Sequence, residues 1–199
     1  MRLLSQIPAP TGIAALLISA LISALLSAPI SANEIPRPSP GFTILMNSGV
    51  PIQVAEHKGK AVVVIFLLTT CPHCQKIVGI LSKFQNEYGP RGLQVLGCAI
   101  DEMASMYVPG FVKKFQPAFP VGFSPRDPVL AFLQHPVMLR LMMPQLLFLD
   151  REQIIRAQYA GDHAILEGDP EGKLRAIVEP LLVPRPGQKK SAAPRKKQS

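Results

Sequence analysis

Two cysteines two residues apart, Cys71-Pro72-His73-Cys74, close a strongly apolar run, Ala61 to Leu68 (AVVVIFLL), and open a stretch with helical periodicity. A CxxC pair at a strand-to-helix junction is the pattern of a dithiol/disulfide redox centre. It puts the first sulfur at a helix N-terminus, where unpaired backbone N–H groups and the positive end of the helix dipole stabilise a thiolate. Cys71 is therefore the expected nucleophile. Cys74, one turn inward, is the expected resolving thiol, shielded and placed to attack a mixed disulfide formed at Cys71. No cofactor is called for beyond that redox-active pair.

Two other chemistries compete for the same residues. A structural staple across four residues would be worth roughly 2 kcal/mol of loop-closure entropy, against about 3 for a fifteen-residue loop, so it would do little. A metal site would recruit the sulfurs and His73, but no second CxxC or HxxxH follows to complete four ligands. The third cysteine, Cys98, lies inside an apolar run, Leu93 to Ile100, and reads as a buried small hydrophobe.

The pair needs a scaffold and a compartment. Ile13 to Leu26 is an uncharged fourteen-residue stretch preceded by Arg2 and followed by Ser31-Ala32, the pattern of a secretory signal over residues 1–32. An uncleaved anchor is the alternative. Either places the remainder outside the cytoplasm, periplasmic or membrane-anchored, where three cysteines fit a catalytic pair better than a disulfide framework. Six of the eight net positive charges, Arg185, Lys189, Lys190, Arg195, Lys196 and Lys197, fall in the tail 184–199, leaving the rest nearly neutral. That tail reads as solvated and disordered, with weak membrane-surface contact as a second role. Nucleic acid is excluded as a partner by the export pattern and by the lack of aromatic residues among the basic ones.

Between these ends, residues 33–41 (NEIPRPSPG) form a Pro-rich lead-in and 42–183 carry the domain. Phe42 to Met46 and Val50 to Val54 flank Asn47-Ser48-Gly49, which predicts a hairpin. Ala61 to Leu68 has the length and β-branched content of a central strand buried on both faces. Pro72 suits a first helical turn, and Ile77, Ile80, Leu81 and Phe84 carry that helix to about Tyr88, where Gly89-Pro90 stops it. Leu93 to Ile100 is a second buried strand, joined by a right-handed crossover and hence parallel. Met103 to Phe115 reads as a helix broken at Pro109-Gly110, and Phe119 to Phe123 as a short strand. Asp127-Pro128 reads as N-cap and first residue of a helix to about His135. Leu146 to Asp150 and Gln153 to Tyr159 pair antiparallel across a short turn, and Asp169-Pro170-Glu171 starts a last helix. The class is α/β, a central mixed sheet flanked by helices with an N-terminal β-hairpin extension.

The order of these segments resembles the extracytoplasmic thioredoxin-like proteins of the TlpA/ResA and redoxin group. The similarity covers roughly Pro40 to Leu182 and rests on GFTILMNSGVPIQV, KGKAVVVIFLLTTCPHC, GLQVLGCAID and MPQLLFLDREQIIRAQYAG. The resemblance implies a thioredoxin-like fold and a thiol-disulfide oxidoreductase acting on protein thiols or disulfides of exported proteins, recycled by a membrane redox partner. It also implies a cis-proline opposite the dithiol: Met143-Pro144 occupies that place, so Pro144 joins Cys71, Pro72, His73 and Cys74 as a site residue. Met143 and Thr70 are then expected to touch substrate.

Three departures stand out from the family pattern. Thr70 replaces the usual Trp before the first cysteine. Ile65 stands where many thioredoxins bury a carboxylate, so proton transfer must use another group or water, with Glu56 and His57 as candidates. Pro72-His73 resembles DsbA-type oxidants, because His73 can donate to the Cys71 thiolate or add positive charge beside it, although the Cys74 to Met143 interval is too short for the helical insertion of those oxidants. A different class, a Sco-like copper-binding chaperone, would pair the cysteines with a distant His such as His163, but it spaces its cysteines one residue further apart. His135 reads as a capping or surface residue.

Overall fold

Seven consecutive side chains with no solvent exposure, Ala61–Leu67, form the middle strand of the domain, and everything else is arranged to cover them. The computed structural model describes residues 34–183. The predicted signal or anchor segment and the basic tail lie outside the described residues. No helix among the described residues is long and apolar enough to cross a membrane.

The elements in chain order are β1 (Arg37–Pro38), β2 (Thr43–Ile44), β3 (Ile52–Gln53), β4 (Ala61–Leu67), α1 (Pro72–Tyr88), β5 (Leu93–Ala99), α2 (Ala104–Phe115), β6 (Val121–Phe123), α3 (Arg126–Leu133), β7 (Gln145–Leu149), β8 (Ile154–Tyr159) and α4 (Pro170–Leu182). Six strands make one sheet in the order β1-β8-β7-β4-β5-β6. β4, β5 and β6 run parallel, while β7, β8 and β1 each oppose their neighbour. The sheet is mixed, as the segment order implies. The lead-in is not a bare tether: Arg37 and Pro38 pair with Ile155 and Ile154 at the sheet edge. The predicted hairpin is present as β2 and β3, with Thr43 opposite Gln53 and Ile44 opposite Ile52.

Alternation along β4 divides the core in two, because successive side chains of a strand point to opposite faces. Val63, Ile65 and Leu67 pack with Ile77, Leu81 and Phe84 of α1, Val108 and Phe111 of α2, and Leu174 and Val178 of α4. Val62, Val64 and Phe66 pack with Phe42 and Ile44 of the hairpin strand region and with Val129, Phe132 and Leu133 of α3. On the first face Arg175 of α4 pairs with Glu87 at 2.7 Å and lies over the rings of Phe84 and Tyr88, tying the last helix to α1.

Two helices differ from expectation. α2 runs unbroken through Pro109. A proline removes the N–H that would bond the carbonyl four residues back, here that of Ser105. Asn47 Nδ2, from the hairpin turn, donates to the Ser105 carbonyl at 2.7 Å in its place. α3 begins at Arg126 with Pro125 at its N-cap, so Asp127 and Pro128 are the second and third helical residues. Pro128 fits there because the first four N–H groups of a helix have no acceptor within it. The helix ends at Leu133, where Gln134 turns into the left-handed region at φ 53°. By contrast Asp169 caps α4 as predicted, accepting from the Gly172 N–H at 2.9 Å.

At the turn joining β7 to β8, buried Asp150 accepts the N–H groups of Glu152 and Ile154, both at 3.0 Å, and pairs with Arg156 Nε at 2.6 Å. Burial alone would raise its pKa, but the Ile154 N–H, Arg156 and the Glu152 N–H together hold it below the ordinary carboxylate value. A depressed folded-state pKa gives stability that is present above about pH 4 and lost as pH falls further. Asp150→Ala is expected to lower unfolding stability by about 2 kcal/mol at pH 7, read by urea denaturation. The variant's stability should then change less than the wild type's on acidification below about pH 4.

Candidate functional site

β4 delivers its C-terminal end directly to the dithiol. Leu68 follows the strand, Thr69 is buried, Thr70 is exposed, and Cys71 occupies the N-cap of α1 with φ −77° and ψ 117°. The Cys71 N–H returns to the Leu68 carbonyl at 3.1 Å, and its carbonyl accepts from the Gln75 N–H at 3.0 Å. Its Sγ accepts from the Cys74 N–H at 3.4 Å, the side-chain capping bond that Ser or Asp makes in other helices. Pro72 and His73 are the first two residues of the helix, both exposed.

The two sulfurs have different surroundings. Cys71 is half-buried, whereas Cys74 is fully buried among the apolar residues of the first core. Burial pushes the Cys74 thiol far above its ordinary pKa, and the Cys71 sulfur and the Asp101 charge push the same way against an opposing hydrogen bond from Leu68. One thiol is accessible to a partner and one is shielded from it, which is the asymmetry a nucleophile and a resolving thiol require.

Opposite the dithiol, the Met143–Pro144 bond is cis. Pro144 is buried, and half-buried Met143 packs against both cores. The Met142 carbonyl accepts from Gln145 Nε2 at 2.6 Å and from the Gly161 N–H at 3.2 Å, which holds this loop between β7 and the segment after β8. Gly161 permits that approach, because a Cβ there would overlap the Met143 carbonyl. A groove of about 570 Å³ runs between α1 and the cis-proline loop, bordered by His73 and Lys76 on one side, Met142 and Met143 at its base, and Asp162 and Glu167 beyond. His73 and Met143 therefore meet at one groove, which Thr70, Cys71, Pro72, Cys74 and Pro144 do not line. No hydrogen bond joins His73 to the Cys71 sulfur among those described.

The remaining candidates fall away from this centre. Glu56 and His57 lie in a turn before β4, at the end of the sheet opposite the dithiol, and are not proton carriers for it. His135 is a surface residue whose Nε2 lies 3.3 Å from the Leu139 carbonyl. His163 accepts the Ile165 N–H at Nδ1 (3.1 Å) and packs its ring against that of Tyr159 at a tilt of 53°. Among the described residues no group of three His, Cys, Asp or Glu side chains is placed to hold a metal, so the copper-chaperone reading has no support. Cys98 is buried in β5, which raises its pKa well above the ordinary thiol value. The residue that sequence reasoning missed is Asp101. It ends the apolar run GLQVLGCAI, and its carboxylate binds Thr69; an acid closing a strand that neighbours the CxxC strand was the available signal.

The arrangement is a thioredoxin-like fold with its dithiol on a helix N-cap and a cis-proline facing it. A thiol:disulfide interchange protein of the thioredoxin family from Chlorobium tepidum TLS superposes with a TM-score of 0.62 at 24% identity, covering 76% of this chain and all of that one. The thioredoxin domain of a thiol-disulfide oxidoreductase from Bacteroides vulgatus does so with 0.57 at 20%, covering 73% and 99%. The family model described as Redoxin matches residues 33–168, and the chain belongs to the redoxin family. It is also 30% identical over 82 residues to the thiol-disulfide oxidoreductase ResA of Bacillus thuringiensis subsp. konkukian and of Bacillus cereus, 41% of this chain and 47% of each relative. The matched region spans about half the length of those relatives.

With iodoacetamide at pH 8, the reduced protein is expected to be alkylated at Cys71 alone, with Cys74 and Cys98 labelled only after unfolding, as read by peptide mass spectrometry. Gly161→Ala should lower stability by about 1–3 kcal/mol through overpacking against the Met143 backbone, measured by thermal denaturation.

Proposed function

We propose that the protein is a thiol-disulfide oxidoreductase of an extracytoplasmic compartment, with Cys71 as nucleophile and Cys74 as resolving thiol. The Cys71 thiolate attacks a disulfide of an exported protein, one sulfur of that protein leaves as thiol, and a mixed disulfide forms at Cys71. Cys74, once deprotonated, attacks Cys71 Sγ, closes the Cys71–Cys74 disulfide and releases the second client sulfur as thiol. Run in the other direction, the same steps deliver a disulfide to a client dithiol. A membrane redox partner would return the pair to its starting state, and the 1–32 segment supports placement outside the cytoplasm.

The observation that carries this reading is the half-buried Cys71 sulfur at the N-cap of α1, accepting an amide N–H at 3.4 Å, with fully buried Cys74 one turn behind it. The groove beside His73 and Met143 supports an extended peptide as substrate, with Met143 and Pro144 of the cis-proline loop as its backbone-pairing edge and exposed Thr70, outside the groove, as a further contact beside Cys71. The ResA relatives support the same activity.

Cys74→Ala is expected to accumulate mixed disulfides with client proteins through Cys71, seen as reducible adducts on gels, while Cys71→Ser forms none and loses insulin-reduction and dithiol-oxidation activity. Full activity in Cys71→Ser would overturn the assignment. Because Pro72-His73 lies between the two cysteines, where an imidazolium adds positive charge, the pair is expected to equilibrate with glutathione at a potential above the thioredoxin value of about −270 mV. A potential at or below it would make the protein a reductant.

A further inference from the structure

β5 does more than cover β4. Its pairing continues past the strand end, where the Ile100 N–H donates to the Leu67 carbonyl at 3.0 Å. The next residue, Asp101, is thereby carried alongside the segment that leads into the dithiol. Its two carboxylate oxygens accept the Thr69 N–H at 3.1 and 3.0 Å, and Oδ1 also accepts the Thr69 hydroxyl at 3.0 Å. The Thr69 carbonyl accepts from Gln75 Nε2 at 2.9 Å, on the first turn of α1. All three polar groups of buried Thr69 are thus satisfied by two side chains, and Thr69 stands two residues before the nucleophile. Half-buried Asp101 also borders a second cavity of about 640 Å³, with Leu68, Met103, Ser124 and Arg126, that shares no lining residue with the cis-proline groove.

Resting on the thiol-exchange reading above, we propose that Asp101 is the positioning residue of the dithiol. Through Thr69 it holds the loop that carries Cys71, and its negative charge disfavours the reduced pair, so it sets the balance of exchange. The reduced state carries a sulfur anion and the disulfide carries none, so a carboxylate held nearby raises the energy of only one of them. The other charged groups that line the two cavities are His73 and Lys76 of α1, Asp162 and Glu167 after β8, and Glu102 and Arg126 with Asp101. Among the described residues Asp101 alone brings its charge into direct hydrogen bonds with the loop before the dithiol. The upward push that its charge exerts on the Cys74 thiol has the same sign.

The equilibrium to measure is the Cys71–Cys74 disulfide plus two glutathione thiols against the reduced pair plus one glutathione disulfide, in which two electrons pass to the protein, one proton passes to Cys74, and the second goes to water where Cys71 is left as the anion or to Cys71 where it is not. Asp101→Asn keeps a carbonyl acceptor for Thr69 and removes the charge. It is expected to shift this equilibrium about tenfold toward the dithiol, equivalent to about 30 mV upward, and to move the pH midpoint of Cys71 alkylation downward. Thr69→Val, which loses the hydroxyl contact and keeps the charge, should lower the melting temperature without moving the equilibrium. Should Asp101→Asn fail to fold, Asp101→Ser carries a neutral acceptor on a shorter side chain and is expected to give the same shift. An unchanged equilibrium and alkylation profile in the neutral variant would overturn the inference, as would an equal shift in Thr69→Val, because geometry rather than charge would then set the balance. If exchange still depends on Cys71 in either event, the assigned function stands and only the role of Asp101 falls; if Cys71→Ser retains exchange, the functional reading itself fails.

Discussion

A sulfur anion is stabilised in a protein by fixed hydrogen-bond donors, and here the Cys74 N–H at the start of α1 is aimed at the Cys71 sulfur. That requirement dictates the rest. The helix must begin at the cysteine, so the chain must arrive extended and turn within three residues, and β4 must be stiff enough to aim it. An all-apolar β-branched strand buried on both faces supplies the stiffness. Covering both faces in turn requires α1, α2 and α4 on one side and α3 with the hairpin on the other.

Topology then brings the other site residues without further design. The C-terminal ends of β4 and β5 lie side by side because the two strands are parallel, with Leu67 opposite Ala99. β7 runs the other way, so its first residue, Gln145, pairs with Phe66 near the end of β4, which brings the proline before it to the end of β4 that leads into the dithiol. β8 reverses again, Tyr159 pairing with Leu146, which returns Gly161 to the same edge. Four strand ends therefore meet at one rim: one carries the sulfurs, one the cis-proline, one the glycine that admits it, and one Asp101.

The sequence made the strands, the dithiol helix and the cis-proline position legible because each rests on a local pattern: an unbroken apolar run, a 3.6-residue period, a proline before a strand. It was misleading where a distant side chain overrides a local rule. Pro109 looks like a helix breaker until Asn47, more than fifty residues earlier, is seen to serve the carbonyl that the proline leaves unpaired. The sequence reading starts α3 two residues late because Asp127-Pro128 satisfies the capping rule, while the helix that buries Val129, Leu130 and Leu133 has its N-cap at Pro125. Asp101 was invisible as a functional residue for a related reason: a single acid at a strand end reads as a solvated terminus, and only the strand pairing shows that it addresses Thr69.

That placement changes how the absence of a carboxylate from β4 is understood. At position 65 an acid would have to be buried among Val63, Leu67 and the apolar face of α1, where an ionised group carries a large desolvation penalty. Ile65 keeps that face apolar and lets β4 pack without a polar interruption. The neighbouring strand presents its acid instead at a half-buried cavity wall, where water and three hydrogen bonds offset its desolvation. On the inference drawn above, the dithiol sits between two influences: the Cys74 N–H at the helix start is aimed at the Cys71 sulfur, and the Asp101 charge disfavours a sulfur anion. The direction of exchange is then a property of that balance rather than of the dipeptide between the cysteines alone, and charge on the segment after β5, outside the helix, enters it as directly as those residues.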